Sequence, residues 1–408
     1  MKVQKFAIIG IVVLLLAAPV IAKTLESEDR YLIESDSQNL KDEFGVRHEF
    51  KQGFTANLNK GQLMKLEKQG IEFRKVEMYE FTDKPMCGDG IIQPSEKCGE
   101  EGLAECSTGY VCSSTCKCVA DSSEEPEEPI RTQFPDNQIP YGVSMINGGI
   151  GGDGINVAVL DSGAMPHPDF VAHRITCVDT SAHPNKIVDT CMDDLGHGTH
   201  VMGTVGAYGG QDGLGIYGVV PEANLMMVKV GSFGAYADDL AEGIYYATDT
   251  GANIITMSLG SITSDPLIYD AIKYASANGV LIIASAGNGG EYNDTVSYPA
   301  AYDEVIAVGA IDENQELAFF SSRGAEVELV APGVDIESTA GGMDLFISRK
   351  WYVYHSGTSM AAPHIAGLAA KVWQGNAPDT RAYLQSIAVD LGDEGRDNLY
   401  GFGVPIAP

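Results

Sequence analysis

The sequence predicts an α/β domain built on a parallel β-sheet flanked by helices, preceded by a small α+β unit and a disulfide-rich module. Three observations carry this. From about Asp136 to the end, short apolar runs alternate with helical segments, the pattern of buried strands covered on both faces. Ahead of that region, six cysteines fall within 32 residues, a window too small to fold around a hydrophobic core of its own. Before the cysteines, Tyr31 to Phe81 mixes extended pieces with one helix. A length of 408 residues agrees with two or three such units. The 56 acidic residues against 26 Lys plus Arg give a formal net charge of -30, which argues against a nucleic-acid partner or an anionic membrane. Hydrophobic residues at 44% and charged residues at 20% exclude wholesale disorder.

Taken in order, residues 1–22 read as a signal peptide. Lys2 and Lys5 form a basic start, Phe6 to Ala18 is apolar and uncharged, and Val20-Ile21-Ala22 offers compact residues for cleavage. The competing reading is an uncleaved N-terminal anchor; Pro19 favours cleavage, because it interrupts the run where a peptidase needs extended chain. The expectation is a secreted, extracellular protein without stable membrane association once the segment is removed. Outside the cytosol thiols oxidise, so Cys87, Cys98, Cys106, Cys112, Cys116 and Cys118 are candidate disulfide partners, with 15 pairings open. Zinc is the lesser alternative: Cys116 and Cys118 stand too close together for the usual spacer, and no histidine lies in the window. The opening string CGDGIIQPSEKC resembles short Cys-rich repeats of secreted microbial proteins.

In the first unit, extended pieces are expected at Tyr31–Glu34, Glu49–Asn57 and Ile71–Phe81, with a helix at Gly61–Gln69 capped by Gly70. After the Cys-rich module (residues 87–118), residues 119–135 form an acidic, Pro-containing linker around DSSEEPEEP. The last domain, residues 136–408, offers strands at Ile155–Leu160, Leu225–Val230, Ile254–Met257, Val280–Ala284 and Val305–Ala310. Helices are expected near Ala237–Thr248 and Pro266–Asn278.

Chemistry in parallel sheets collects at the carboxyl ends of strands. Asp161 stands there, in NVAVLDSG, where a carboxylate must find partners or lose its charge. His197 lies in GHGTHVMGT at the start of a helix running through Val205. His200 is a weaker candidate, and the HxxH spacing lacks the i, i+4 geometry of a zinc helix. Ser359, in HSGTSMAAPH, opens a helix to about Gln374; Pro363 is tolerated in its first turn. Each residue alone reads more simply as a cap or a structural side chain. Together they give an acid, a histidine and a serine in one chain order, each at an element boundary.

With VAVLDSG, GHGTHVMGT, MSLGS, ASAGNGG, YPA, FSSRG, APGV and GTSMAAPHIAG in sequence, residues 136–408 resemble the subtilisin family of serine proteases. The resemblance implies a subtilisin-like fold and a serine endopeptidase acting on protein and peptide substrates through a covalent acyl-enzyme. It assigns Ser359 as nucleophile, His197 as base, Asp161 as the acid orienting it, and Asn288 as oxyanion donor. Ser258, Leu259 and Gly260 match the edge that binds substrate main chain. Gly287, Gly289 and Ser297 match the first specificity pocket, small and uncharged, and imply a large apolar residue before the cleaved bond. The family also implies calcium, held by Asn137, Asp169, Asp212 and the carbonyls of Gly210, Leu214 and Ile216; the string DSGAMPHPD is one residue shorter than usual. Cys177 and Cys191 match no catalytic position and are read as a disulfide closing their loop. The Tyr31–Phe81 unit, within residues 23–83, resembles the family's inhibitory propeptide. The enzyme is expected as a monomeric zymogen with its own propeptide as partner, self-cleaved after about Phe81 or near Pro135. The second bond is favoured because Asn137 is needed at the calcium loop.

Overall fold

The computed structural model describes residues 29–81, 110–112, 118–120, 134–170, 175–182, 187–188, 190–210, 213–290, 292, 294–348 and 350–408. The expected signal segment, most of the Cys-rich window, nearly all of the acidic linker and Asp212 lie outside them. No helix of the described residues is long and apolar enough to cross a membrane.

The central sheet has eight strands in the order Ile187–Val188, Ile175–Asp179, Asn224–Lys229, Asn156–Asp161, Ile254–Met257, Leu281–Ser285, Val305–Ile311 and Val327–Pro332. Seven run parallel, and only the two-residue edge strand at Ile187 is antiparallel. The expected strands are all present, with ends within one residue of those expected. Apolar runs mark them because both faces are covered, and the Asn156–Asp161 strand shows how. Val157 and Val159 pack under the helices His197–Gly206 and Thr358–Lys371, while Ala158 and Leu160 pack under Ala237–Asp249 and Pro266–Ala277, as the two-residue period of a strand requires. The same strand is where chain order reverses: the sheet grows outward from it in both directions. Its carboxyl end is therefore the crevice such sheets leave open. Cys177 and Cys191 are bridged, with Cα atoms 5.5 Å apart.

The N-terminal unit is a four-stranded antiparallel sheet ordered Glu49–Phe50, Gly53–Leu58, Asp29–Ile33 and Phe73–Lys75. The helices Gln38–Phe44 and Lys60–Gln69 cover one face. Asn59 and Gln62 close a capping box on the second helix, and Gly70 ends it in the left-handed conformation. Ile33, Phe54 and Leu66 form the unit's own core, while Leu32 faces the other way and joins the core of the large domain.

Three expectations for this unit need correction: it has a second helix, Gln38–Phe44, and Glu49–Asn57 is not one extended piece but the hairpin of Glu49–Phe50 with Gly53–Leu58. Ile71–Phe81 is not one extended piece: Phe73–Lys75 belongs to the small sheet, while Met78–Phe81 leaves it. The latter forms the middle strand between Ala235–Tyr236 and Leu259–Gly260 of the large domain.

Candidate active site

Asp161 ends its strand fully buried, and its Oδ1 lies 2.6 Å from Nδ1 of His197, also fully buried. Ser162 N–H donates to the same oxygen at 2.7 Å. Burial pushes the Asp161 carboxyl up; the histidine and the Ser162 N–H pull against that rise. A carboxylate bonded to Nδ1 fixes the tautomer that leaves Nε2 as the basic nitrogen.

His197 is the first residue of its helix, behind Gly196. The loop after Asp161 passes so close that a Cβ on Gly198 would sit 2.3 Å from the Gly163 carbonyl oxygen; only glycine fits. What fixes the helix start is Asp193, a buried residue that the sequence reading passed over. Its Oδ1 accepts from Ser162 Oγ, Leu195 N and Gly196 N, and its Oδ2 from Thr199 N and Oγ1, at 2.6–3.1 Å. The signal was present in MDDLGHGTH: an acidic residue just before a helix start.

Ser359 is the second residue of its helix, which begins at Thr358 behind Gly357; the expectation that Ser359 opens it was one residue late, and Ser359 is not the cap. Two reciprocal hydrogen bonds tie it to the residue before the Leu259–Gly260 strand: Ser359 Oγ to the Ser258 carbonyl at 3.2 Å, and Ser258 Oγ to the Ser359 carbonyl at 2.8 Å. Asn288 is oriented by Thr358, whose N–H and Oγ1 both donate to its Oδ1 at 3.0 Å. Thr358 Oγ1 in turn accepts from Gly287 N at 3.1 Å. With its oxygen so engaged, the amide's Nδ2 remains the donor toward other groups. Of the matched pocket residues, Gly287 backs onto Ser297, as does Gly260 of the matched edge, whereas Gly289 backs onto Thr295 and Ser322. His200 and His364 are structural. His200 bonds the Ile336 carbonyl and stacks on His355, while burial lowers His364 to about 4.

The middle strand closes the arrangement. Phe81 pairs with Leu259 and Glu80 with Gly260, and the Phe81 ring lies 5.1 Å from that of His197. Behind it, the small unit is clamped by charge. Arg30 bonds Asp238 and Asp239 at 2.8 and 2.6 Å and stacks on Tyr236. Arg47 and His48 reach Asp239, and Arg74 reaches Asp265. His48, Asp238 and Asp239 are close enough to hold a metal, but the guanidinium groups already neutralise that pair.

Of the calcium candidates, Asp169 and Ile216 meet elsewhere. Asp169 is buried against the turn at Gly209–Tyr217, its Oδ2 accepting from Ile216 N at 2.7 Å and Tyr352 OH at 2.9 Å. A Cβ on Gly215 would meet its Oδ1 at 2.0 Å. Tyr217 N donates to the Gln138 carbonyl, which brings Asn137 beside the loop.

The sequence profile described as the Subtilase family matches residues 152–403. The chain belongs to the subtilase family. This subtilase is 35% identical over 424 residues to a subtilisin from Bacillus sp. (strain TA39), covering 92% of its own length and 90% of that relative. It is 38% identical over 278 residues to subtilisin BL from Lederbergia lenta, covering 65% of itself and 96% of the relative. Among solved structures, S41 psychrophilic protease shares 37% identity at a TM-score of 0.61, covering 67% of the subtilase and 99% of that chain. The subtilase is a serine endopeptidase with the α/β fold of that family.

Because Asp193 positions the His197 helix through five hydrogen bonds, Asp193→Ala is expected to cost about 2–3 kcal/mol of stability. It should also lower kcat at least tenfold with little change in KM, and Asp193→Asn should recover part of both. Thermal melts beside steady-state kinetics check this.

Proposed function

We propose that this serine endopeptidase is made as a secreted, self-processed zymogen, its first 22 residues being a signal peptide. Ser359 Oγ attacks the substrate carbonyl while His197 Nε2 takes its proton and later delivers it to the leaving amine. Asp161 holds the imidazole and stabilises its protonated form. Asn288 Nδ2 and the Ser359 N–H stabilise the oxyanion, and water releases the acyl group. The observation that carries the reading is the Met78–Phe81 strand. It adds to the Ser258–Gly260 edge as a substrate would, by main-chain pairing. The small pocket residues Gly287, Gly289 and Ser297 support a large apolar residue before the cleaved bond. Mature enzyme is proposed to be monomeric.

The register also favours one processing bond. Glu80 lies opposite Gly260 and Phe81 opposite Leu259. The strand runs on toward Ser258, the residue bonded to Ser359. We therefore favour self-cleavage just after this strand, after about Phe81, the first of the two positions left open by the sequence, with the Cys-rich module kept on the mature enzyme. The Arg30, Arg47 and Arg74 contacts would retain the cut propeptide as an inhibitor.

Calcium is proposed as a structural ion. Asn137, Asp169, Asp212 and the carbonyls of Gly210, Leu214 and Ile216 supply hard oxygen ligands. The buried Asp169 carboxylate beside a glycine turn fits that role, and such an ion would brace the loop without entering the reaction.

N-terminal sequencing of secreted protein tests the zymogen reading: wild type should begin just after Phe81, and Ser359→Ala should remain uncut there. A mature start near Asp136 would place the bond elsewhere, and identical processing of Ser359→Ala would sink self-cleavage. Chelation should lower the melting temperature, with recovery on adding calcium and not magnesium; a melt indifferent to chelator would overturn the ion.

A further inference from the structure

The helix Gly342–Ser348 buries none of its residues, yet four of its side chains are large and apolar, and three of these are exposed. Met343 is 45% exposed, Phe346 84% and Ile347 68%. Spacing of i, i+3 and i+4 puts them on one face. Single exposed apolar residues are ordinary, but a contiguous face marks a binding surface.

The position of this helix relates it to the reaction. It lies in the connection between the antiparallel strands Ile336–Thr339 and Tyr352–His355. Met343 N–H donates to the carbonyls of Asp194 and Leu195 at 3.0 Å, in the loop that leads into His197. Gly342 lies so close that a Cβ there would sit 2.7 Å from Gly196 N. At the other end, Asp344 Oδ2 is 3.1 Å from Nε2 of His355, in the strand that leads into Ser359. The helix is thus tied to the approaches of both His197 and Ser359.

The Met78–Phe81 strand fills the half of the cleft bounded by Ala235–Tyr236 and Leu259–Gly260, and it leaves Phe346 and Ile347 uncovered. A polypeptide extended past the nucleophile leaves the half of the cleft that Met78–Phe81 fills, at ~3.3 Å per residue. Two to four residues beyond the cleaved bond therefore span about 7–13 Å, comparable to the width of a helix. The apolar face runs on into a cavity of about 480 Å³ lined by Ile347, Tyr352 and Tyr354, with the carboxylates of Asp136, Glu337 and Asp344 outnumbering the one ammonium of Lys350, a balance that disfavours acidic side chains.

We propose that Met343, Phe346 and Ile347 bind the leaving-group side of the substrate. They select polypeptides with large apolar residues, and against acidic ones, two to four positions after the cleaved bond. The inference rests on Ser359 and His197 being the reacting pair, and its occupant is the continuation of the chain that pairs with Leu259–Gly260.

Two substrate series with one common acyl sequence test it. Peptidyl nitroanilides have no amino acid after the cleaved bond; internally quenched peptides carry Phe or Glu at the second to fourth positions. Wild type should favour Phe over Glu peptides at least tenfold in kcat/KM. Phe346→Ala with Ile347→Ala should shrink that ratio to about twofold while leaving nitroanilide hydrolysis unchanged, and Phe346→Lys should restore cleavage of the Glu peptides. A double variant that keeps the wild-type ratio overturns the proposal, as does one that loses both substrate series equally. A variant that instead converts a dimer to a monomer assigns the face to a second copy. No nitroanilide hydrolysis by wild type would overturn the underlying reading of Ser359 and His197.

Discussion

The hydrogen bond between Asp161 and His197 is the constraint around which the large domain is arranged. Both side chains are wholly buried, and burying a carboxylate is costly unless partners accept its charge. The sheet provides the setting: the central strand delivers Asp161 to the crevice where strand order reverses. The helix of His197 must then approach the following loop at a distance that leaves no room for a Cβ on Gly198. Asp193 gathers the N–H groups at that helix start, so the imidazole reaches Asp161 in a single orientation. Two acids therefore act in sequence, one holding the helix and one holding the ring.

The second organising feature is an open strand edge. Leu259–Gly260 pairs by main chain with Met78–Phe81, the edge we propose a substrate would take. Backbone pairing is indifferent to sequence, so the grip of the small unit must come from elsewhere. It comes from Arg30, Arg47 and Arg74 against acids in the first turns and caps of two helices. Breaking one partner of a buried ion pair costs about 3–5 kcal/mol, far more than an exposed one. This gives part of the acidic excess a use. Residues 136–408 carry 33 acids against 10 bases, and Asp238, Asp239 and Asp265 are among those acids.

Much of this was legible in the sequence because burial writes itself as composition. Ile254–Met257 is as expected, and Val305–Ile311 extends its expected strand by one residue, since strands covered on both faces must be apolar throughout. Asp161, His197 and Ser359 were legible through motifs. The Thr358 bonds that orient Asn288 were not, because they join residues 70 positions apart. Long-range pairing was hidden altogether. Nothing in Ile71–Phe81 marks where one sheet is left for another, and Arg30 meets Asp238 across 208 positions. The Gly342–Ser348 helix lacked a periodic signal long enough to register.

The central claim is that the buried Asp161 carboxylate acts through His197 rather than as structural support, and Asp161→Asn measures it most directly. An amide there keeps the shape but favours the wrong histidine tautomer, so kcat should fall about 10⁴-fold while the melting temperature stays within a few degrees. A fall of less than tenfold, or a loss of activity matched by loss of the folded state, would contradict the account.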